Sequence, residues 1–98
     1  LSLHDALPIY FEKALIDDAY SIDDISALTV LFDLIEKEGL SLGTSSGINV
    51  AGAIKLAQEL GPNKTIVTIL CDKSDRYQGK LFNKKFLMDK NLPYPKWL

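Results

Sequence analysis

An α/β fold is what this sequence predicts, and three observations predict it. A Gly-bounded polar stretch, Gly43-Thr44-Ser45-Ser46-Gly47, opens into a run with apolar residues at helical spacing: Val50, Ala51, Ile54, Ala57 and Leu60. Residues 64–70 alternate little and are rich in β-branched side chains, the pattern of a strand buried on both faces of a parallel sheet. Before the polar stretch, residues 21–38 carry an apolar stripe with a polar opposite side, the pattern of an amphipathic helix.

The elements follow in order. Residues 15–20 predict a short strand, with Asp17 and Asp18 at its exposed side or end. Ser21-x-x-Asp24 approximates a capping box, and Asp23 and Asp24 suit the positive end of a helix. Ile25, Leu28, Phe32 and Ile35 form the stripe, widened by Leu31, and Gly39 is placed to end the helix in a left-handed conformation. Residues 40–44 predict the end of a strand, and the helix proper is expected from Ile48. Gly61-Pro62 stops that helix. After the strand over 64–70 comes a loop at 71–75. Asn83 is expected to cap a short helix over 84–88, and the prolines of 92–98 predict an extended arm whose Trp97 and Leu98 need a surface to cover.

Composition bounds the possibilities. The 98 residues make at most one small domain, with ordinary proportions for a soluble globular protein: 47% hydrophobic and 24% charged. No apolar run is long enough to cross a membrane. One cysteine excludes an internal disulfide and a cysteine-cluster metal site. Residues 1–71 carry a net −6 and residues 72–98 a net +4. The basic tail lacks a compact Lys/Arg block, so no nucleic-acid partner is expected. The acidic pairs Asp17/Asp18 and Asp23/Asp24 read as strand-end and cap residues, and no metal is expected, because no His or Cys completes a site. Residues 1–9 look like translated sequencing-adapter DNA and are expected to be non-native, which sets aside His4, the sole histidine.

The polar stretch carries the chemistry. A strand end, a Gly/Ser loop and a helix N-terminus together make a place to hold a polar or anionic group. In wider context, residues 38–57 closely resemble the C-terminal cofactor segment of the cysteine synthases, the O-acetylserine sulfhydrylases. So does Lys64-Thr65-Ile66-Val67-Thr68-Ile69-Leu70-Cys71-Asp72 with the following Arg76-Tyr77. These are pyridoxal-phosphate enzymes of the tryptophan synthase β type. The resemblance runs over nearly the whole chain and implies that residues 10–98 are the C-terminal part of such an enzyme, a partial three-layer α/β/α domain with a short, mostly parallel sheet, truncated at the N-terminus.

The resemblance also implies roles. Ser45 is the serine that meets the pyridine nitrogen of pyridoxal 5'-phosphate, with Thr44, Cys71 and Asp72 as further cofactor-binding candidates. Ser46 is expected to cap the helix. Cys71 stands where relatives often have Pro, and by itself reads as a small buried strand-end residue. The Schiff-base lysine and the phosphate loop are expected outside these residues, so no catalytic residue is assigned and the fragment alone is expected to be inactive. The implied reaction makes L-cysteine from O-acetylserine and sulfide, in a cytoplasmic enzyme that is usually a homodimer. Two alternatives stay open: a fragment of a cystathionine β-synthase or serine/threonine dehydratase, and a free-standing small α/β binding module.

Overall fold

The computed structural model describes residues 16–98; the expectations that fall on residues 1–15, the adapter-like segment and His4 among them, lie outside the described residues. Helix α1 spans Asp24–Glu38. Asp23, not Ser21, is its N-cap: the Asp23 carboxylate accepts the Ser26 N–H at 2.7 Å, and its carbonyl accepts the Ala27 N–H. The Ser26 backbone N–H above all, then the Ser26 hydroxyl and the Ile25 N–H, hold the Asp23 carboxyl below its ordinary value of 3.8. At the other end Gly39 sits at φ 69°, where only glycine is unstrained. Its N–H reaches Ile35 and the Leu40 N–H reaches Leu34, closing a Schellman motif.

Helix α2 spans Thr44–Leu60 and begins four residues earlier than its apolar spacing predicts. The polar stretch is therefore the first turn of the helix and not a loop before it. Gly61, at φ 82°, followed by Pro62, ends it as expected. α2 packs on α1 through a glycine. A methyl group on Gly47 would lie 2.7 Å from Leu31 Cγ and 2.9 Å from the Ala27 carbonyl oxygen, so the two helices touch backbone to side chain there. That contact turns α1 so that Ala27 and Leu31 are buried, while Ile25, expected in the stripe, is 56% exposed.

The second half of the core is made by the C-terminal region. A 3-10 turn at Ser74–Tyr77 leads into α3 (Gln78–Leu81) and then α4 (Lys84–Asp89). Asn83 caps α4 as predicted, accepting the Phe86 N–H at 3.1 Å. Leu81 and Leu87 join Leu28, Leu31, Phe32 and Leu42 in one buried cluster, with Leu92 and Leu98 packed at its margin. The tail thus covers its own chain. Trp97 meets Phe32 edge to face, ring centroids 6.1 Å apart.

The predicted three-layer α/β/α arrangement with a mostly parallel sheet is not what the chain forms. Among the described residues there is no strand, only an isolated antiparallel bridge between Leu42 and Lys73. Residues 64–70 run without regular structure, with Val67 86% and Ile69 68% exposed. Their β-branched composition is a preference for a pleated, half-buried surface, and a lone strand has no neighbour to satisfy its amides. Residues 16–20 form no strand either; Asp18 instead accepts the N–H of Ala19. Tyr20 ties this segment to α2 by donating to the Glu59 carboxylate, and Lys55 lies over its ring. The hydrogen bond to Glu59, with burial adding to it, pushes the Tyr20 hydroxyl up to about 12, so it stays protonated throughout the neutral range.

Three outcomes follow for thermal melts of the full chain. Gly47→Ala lowers stability by about 1–3 kcal/mol through overpacking against α1. Gly52→Ala raises it by roughly 0.5–1 kcal/mol, because it is in mid-helix with only Ile22 near, at 3.9 Å. Asp23→Ala lowers the melting temperature above the ordinary carboxylate range. Since the folded-state value is depressed, the stabilisation is whole above 3.8 and is lost as pH falls through the lower, folded-state value. Parent and variant therefore converge in acid, and melting curves taken from neutral pH downward check it.

Candidate functional site at the first turn of α2

The N-terminus of a helix leaves its first N–H groups without partners. Gly43, the N-cap of α2, has no side chain to serve them. Asp72 serves them from 26 residues down the chain. Its Oδ1 accepts the Ser46 N–H at 2.9 Å and its Oδ2 the Ser45 N–H at 3.4 Å. The Ser46 hydroxyl lies 2.5 Å from Oδ1, to which it donates, and accepts the Asp72 N–H at 3.2 Å. The Asp72 carbonyl accepts the Gly43 N–H at 3.1 Å. A negative carboxylate on the positive end of a helix is favourable in itself.

The flanking residues continue the join. Ser74 donates its N–H to the Ser41 carbonyl, and the two hydroxyls meet at 2.5 Å with Ser74 buried. Asn49, one turn into α2, donates to the Ile69 carbonyl at 2.9 Å and lies 3.9 Å from Cys71 Sγ. Residues 41–46 and 69–74 are thereby stitched together around the start of α2.

The candidates separate on this frame. Ser46 is fully buried, its hydroxyl committed to Asp72. Its neighbour Ser45 is exposed on the outer side of the turn. Thr44, half-buried, lines an apolar cleft of about 200 Å³ beside Leu28, Leu81 and Phe86. Cys71 is exposed, against the expectation of a buried strand-end residue, because the run before it joins no sheet. Asp72 faces inward on the helix amides and is half-buried. Asn49 and Ser74 were not picked out by the sequence. No local spacing links either to its partner, which lies 20 and 33 residues away. Gly43 sits in ordinary extended backbone, φ −87°, and Gly47 allows the close approach of α1.

This geometry decides what the turn can bind. With the Asp72 carboxylate on the amides of Ser45 and Ser46, the helix start is not a cradle for a phosphate. What it offers outward is a neutral hydroxyl at Ser45. Among the described residues no group of three or more His, Cys, Asp or Glu could hold a metal ion, and no helix is long and apolar enough to cross a membrane.

Residues 4–72 match the family of pyridoxal-phosphate dependent enzymes, and the chain belongs to that family. Within it, the chain is similar to cysteine synthases. It is 43% identical over 81 residues to the cysteine synthase of Dictyostelium discoideum, covering 83% of this chain and 21% of that protein. It is 44% identical over 80 residues to cysteine synthase 2 of Schizosaccharomyces pombe, covering 82% and 20%. An O-acetylserine dependent cystathionine beta-synthase of Bacillus subtilis is 36% identical over 74 residues, covering 76% and 24%. The chain spans about a fifth of the length of the cysteine synthases it matches.

The exposure of Cys71 has a direct consequence. It reacts with Ellman's reagent in the native chain at the rate seen in denaturant, within about a factor of ten; a thiol silent until unfolding would contradict its placement.

Proposed function

We propose that this chain is part of a pyridoxal-phosphate-dependent enzyme of the cysteine synthase type, converting O-acetylserine and sulfide into L-cysteine and acetate. Residues 10–98 contribute the side of the cofactor site that faces the ring nitrogen. The single observation that supports this most is the neutral, exposed hydroxyl of Ser45 on a helix turn where the Asp72 carboxylate is turned inward onto the amides. Bound in such a site, pyridoxal phosphate acts as an electron sink for β-elimination and replacement.

The residues of this chain would act on the cofactor by binding and tuning. A hydroxyl at Ser45 can donate to an unprotonated ring nitrogen, whereas a carboxylate in its place would hold the nitrogen protonated and strengthen the sink. With a neutral hydroxyl in that place, Ser45 would favour loss of the β-substituent over transamination. Asp72, engaged with the amides of α2, holds its charge on the helix start and leaves the hydroxyl as the polar group presented outward. Thr44 and Cys71 stand on either flank, Thr44 at the apolar cleft and Cys71 at the exposed end of the incoming segment. The enzyme works in the cytoplasm as a homodimer, and neither a nucleic acid nor a membrane takes part.

In the enzyme that carries this segment, Ser45→Ala lowers cysteine formation from O-acetylserine and sulfide by roughly tenfold, the loss of about one hydrogen bond to the cofactor. Ser45→Asp lowers it further and raises the share of transamination products. Unchanged turnover and product ratio in both variants would remove Ser45 from the site. Turnover with homocysteine in place of sulfide would instead favour a cystathionine β-synthase. The 98-residue chain mixed with pyridoxal phosphate forms no cysteine.

A further inference from the structure

We propose that Asp72 and Ser46 are positioning residues: they hold the first turn of α2 so that the Ser45 side chain is presented in one fixed direction. This rests on the reading of Ser45 as the partner of the ring nitrogen. The geometry has three parts. One carboxylate spans the consecutive N–H groups of Ser45 and Ser46, at 3.4 and 2.9 Å. The Ser46 side chain, fully buried, exchanges hydrogen bonds with both the carboxylate and the backbone of Asp72. Gly47, next in the chain, is pressed against Leu31 and Ala27 of α1. Ser45 thus has its own amide and its next two residues immobilised, and its Cα–Cβ direction follows.

Capping from the side chain of the N-cap residue would leave this turn independent of the incoming segment. Gly43 cannot cap in that way, so the direction of Ser45 depends on where residues 71–74 lie. Asp72 acts through Ser45 and has no need to touch the cofactor. A group of the same shape without the charge should keep part of the effect, because an Asn carbonyl oxygen can still accept one of the two amides.

The test uses the full-length enzyme with pyridoxal phosphate bound, in parent, Ser45→Ala, Ser46→Ala, Asp72→Ala and Asp72→Asn forms. Two readouts are taken: amide hydrogen exchange at Ser45 and Ser46, and the absorption and fluorescence of the bound cofactor. The expected result is exchange about tenfold faster in Asp72→Ala, partial recovery in Asp72→Asn, and a cofactor spectrum shifted the same way as in Ser45→Ala. A purely structural cap would speed exchange without moving the spectrum. If Ser45→Ala shifts the spectrum and neither Asp72→Ala nor Ser46→Ala does, the positioning role is overturned while the role of Ser45 survives. If Ser45→Ala leaves the spectrum unchanged, both are overturned.

Discussion

The hold of the Asp72 carboxylate on the amides of Ser45 and Ser46 is the interaction around which this chain is arranged. A helix that starts at a glycine has no side-chain cap of its own, and the unpaired amides of its first turn must find acceptors elsewhere. Asp72 supplies them from beyond the far end of α2, which brings the segment after Gly61 back along the helix to its beginning. The Leu42–Lys73 bridge and the Ser41–Ser74 pair are consequences of that return. The turn at Ser74–Tyr77 then delivers Leu81 and Leu87 to the face of α1.

Two surfaces of α1 organise the rest. One meets α2 at Gly47, where the absence of a side chain sets the distance between the helices. The other receives the C-terminal leucines and, at Phe32, the ring of Trp97. Between them, the first turn of α2 is fixed on the inside by α1 and Asp72 and left open on the outside. A buried hydroxyl at Ser46 and an exposed one at Ser45, on adjacent serines, follow from the 100° step between successive residues of a helix.

Local signals in the sequence were legible wherever the physics is local. Gly39 and Gly61 ended their helices, Asn83 capped α4, and the stripe of Leu28, Leu31 and Phe32 went into the core. The start of α2 was misplaced because Thr44, Ser45 and Ser46 favour caps and loops on their own, and only a carboxylate remote in sequence makes them helical. Ser21 lost the cap of α1 to Asp23 two residues on, a contest that composition alone does not decide. The sheet failed for a different reason. Residues 64–70 have the composition of a buried strand, but strand formation is a property of pairs, and no neighbour is written into these residues. In the site, Ser45 and Asp72 were picked out by resemblance to a family, while the bond between their two turns is visible only in three dimensions.

The exposed stretch ending at Leu70 has a practical meaning for anyone handling the chain in isolation. Val67, Ile69 and Leu70 offer hydrocarbon to water beside backbone groups that, apart from the Ile69 carbonyl, have no hydrogen-bonded partner among the described residues. Such a row is adhesive toward any other extended row, including its own duplicate, and a charged flank is a weak deterrent with only Lys64 before it. Concentrated solutions of this polypeptide will cloud before dilute ones unfold.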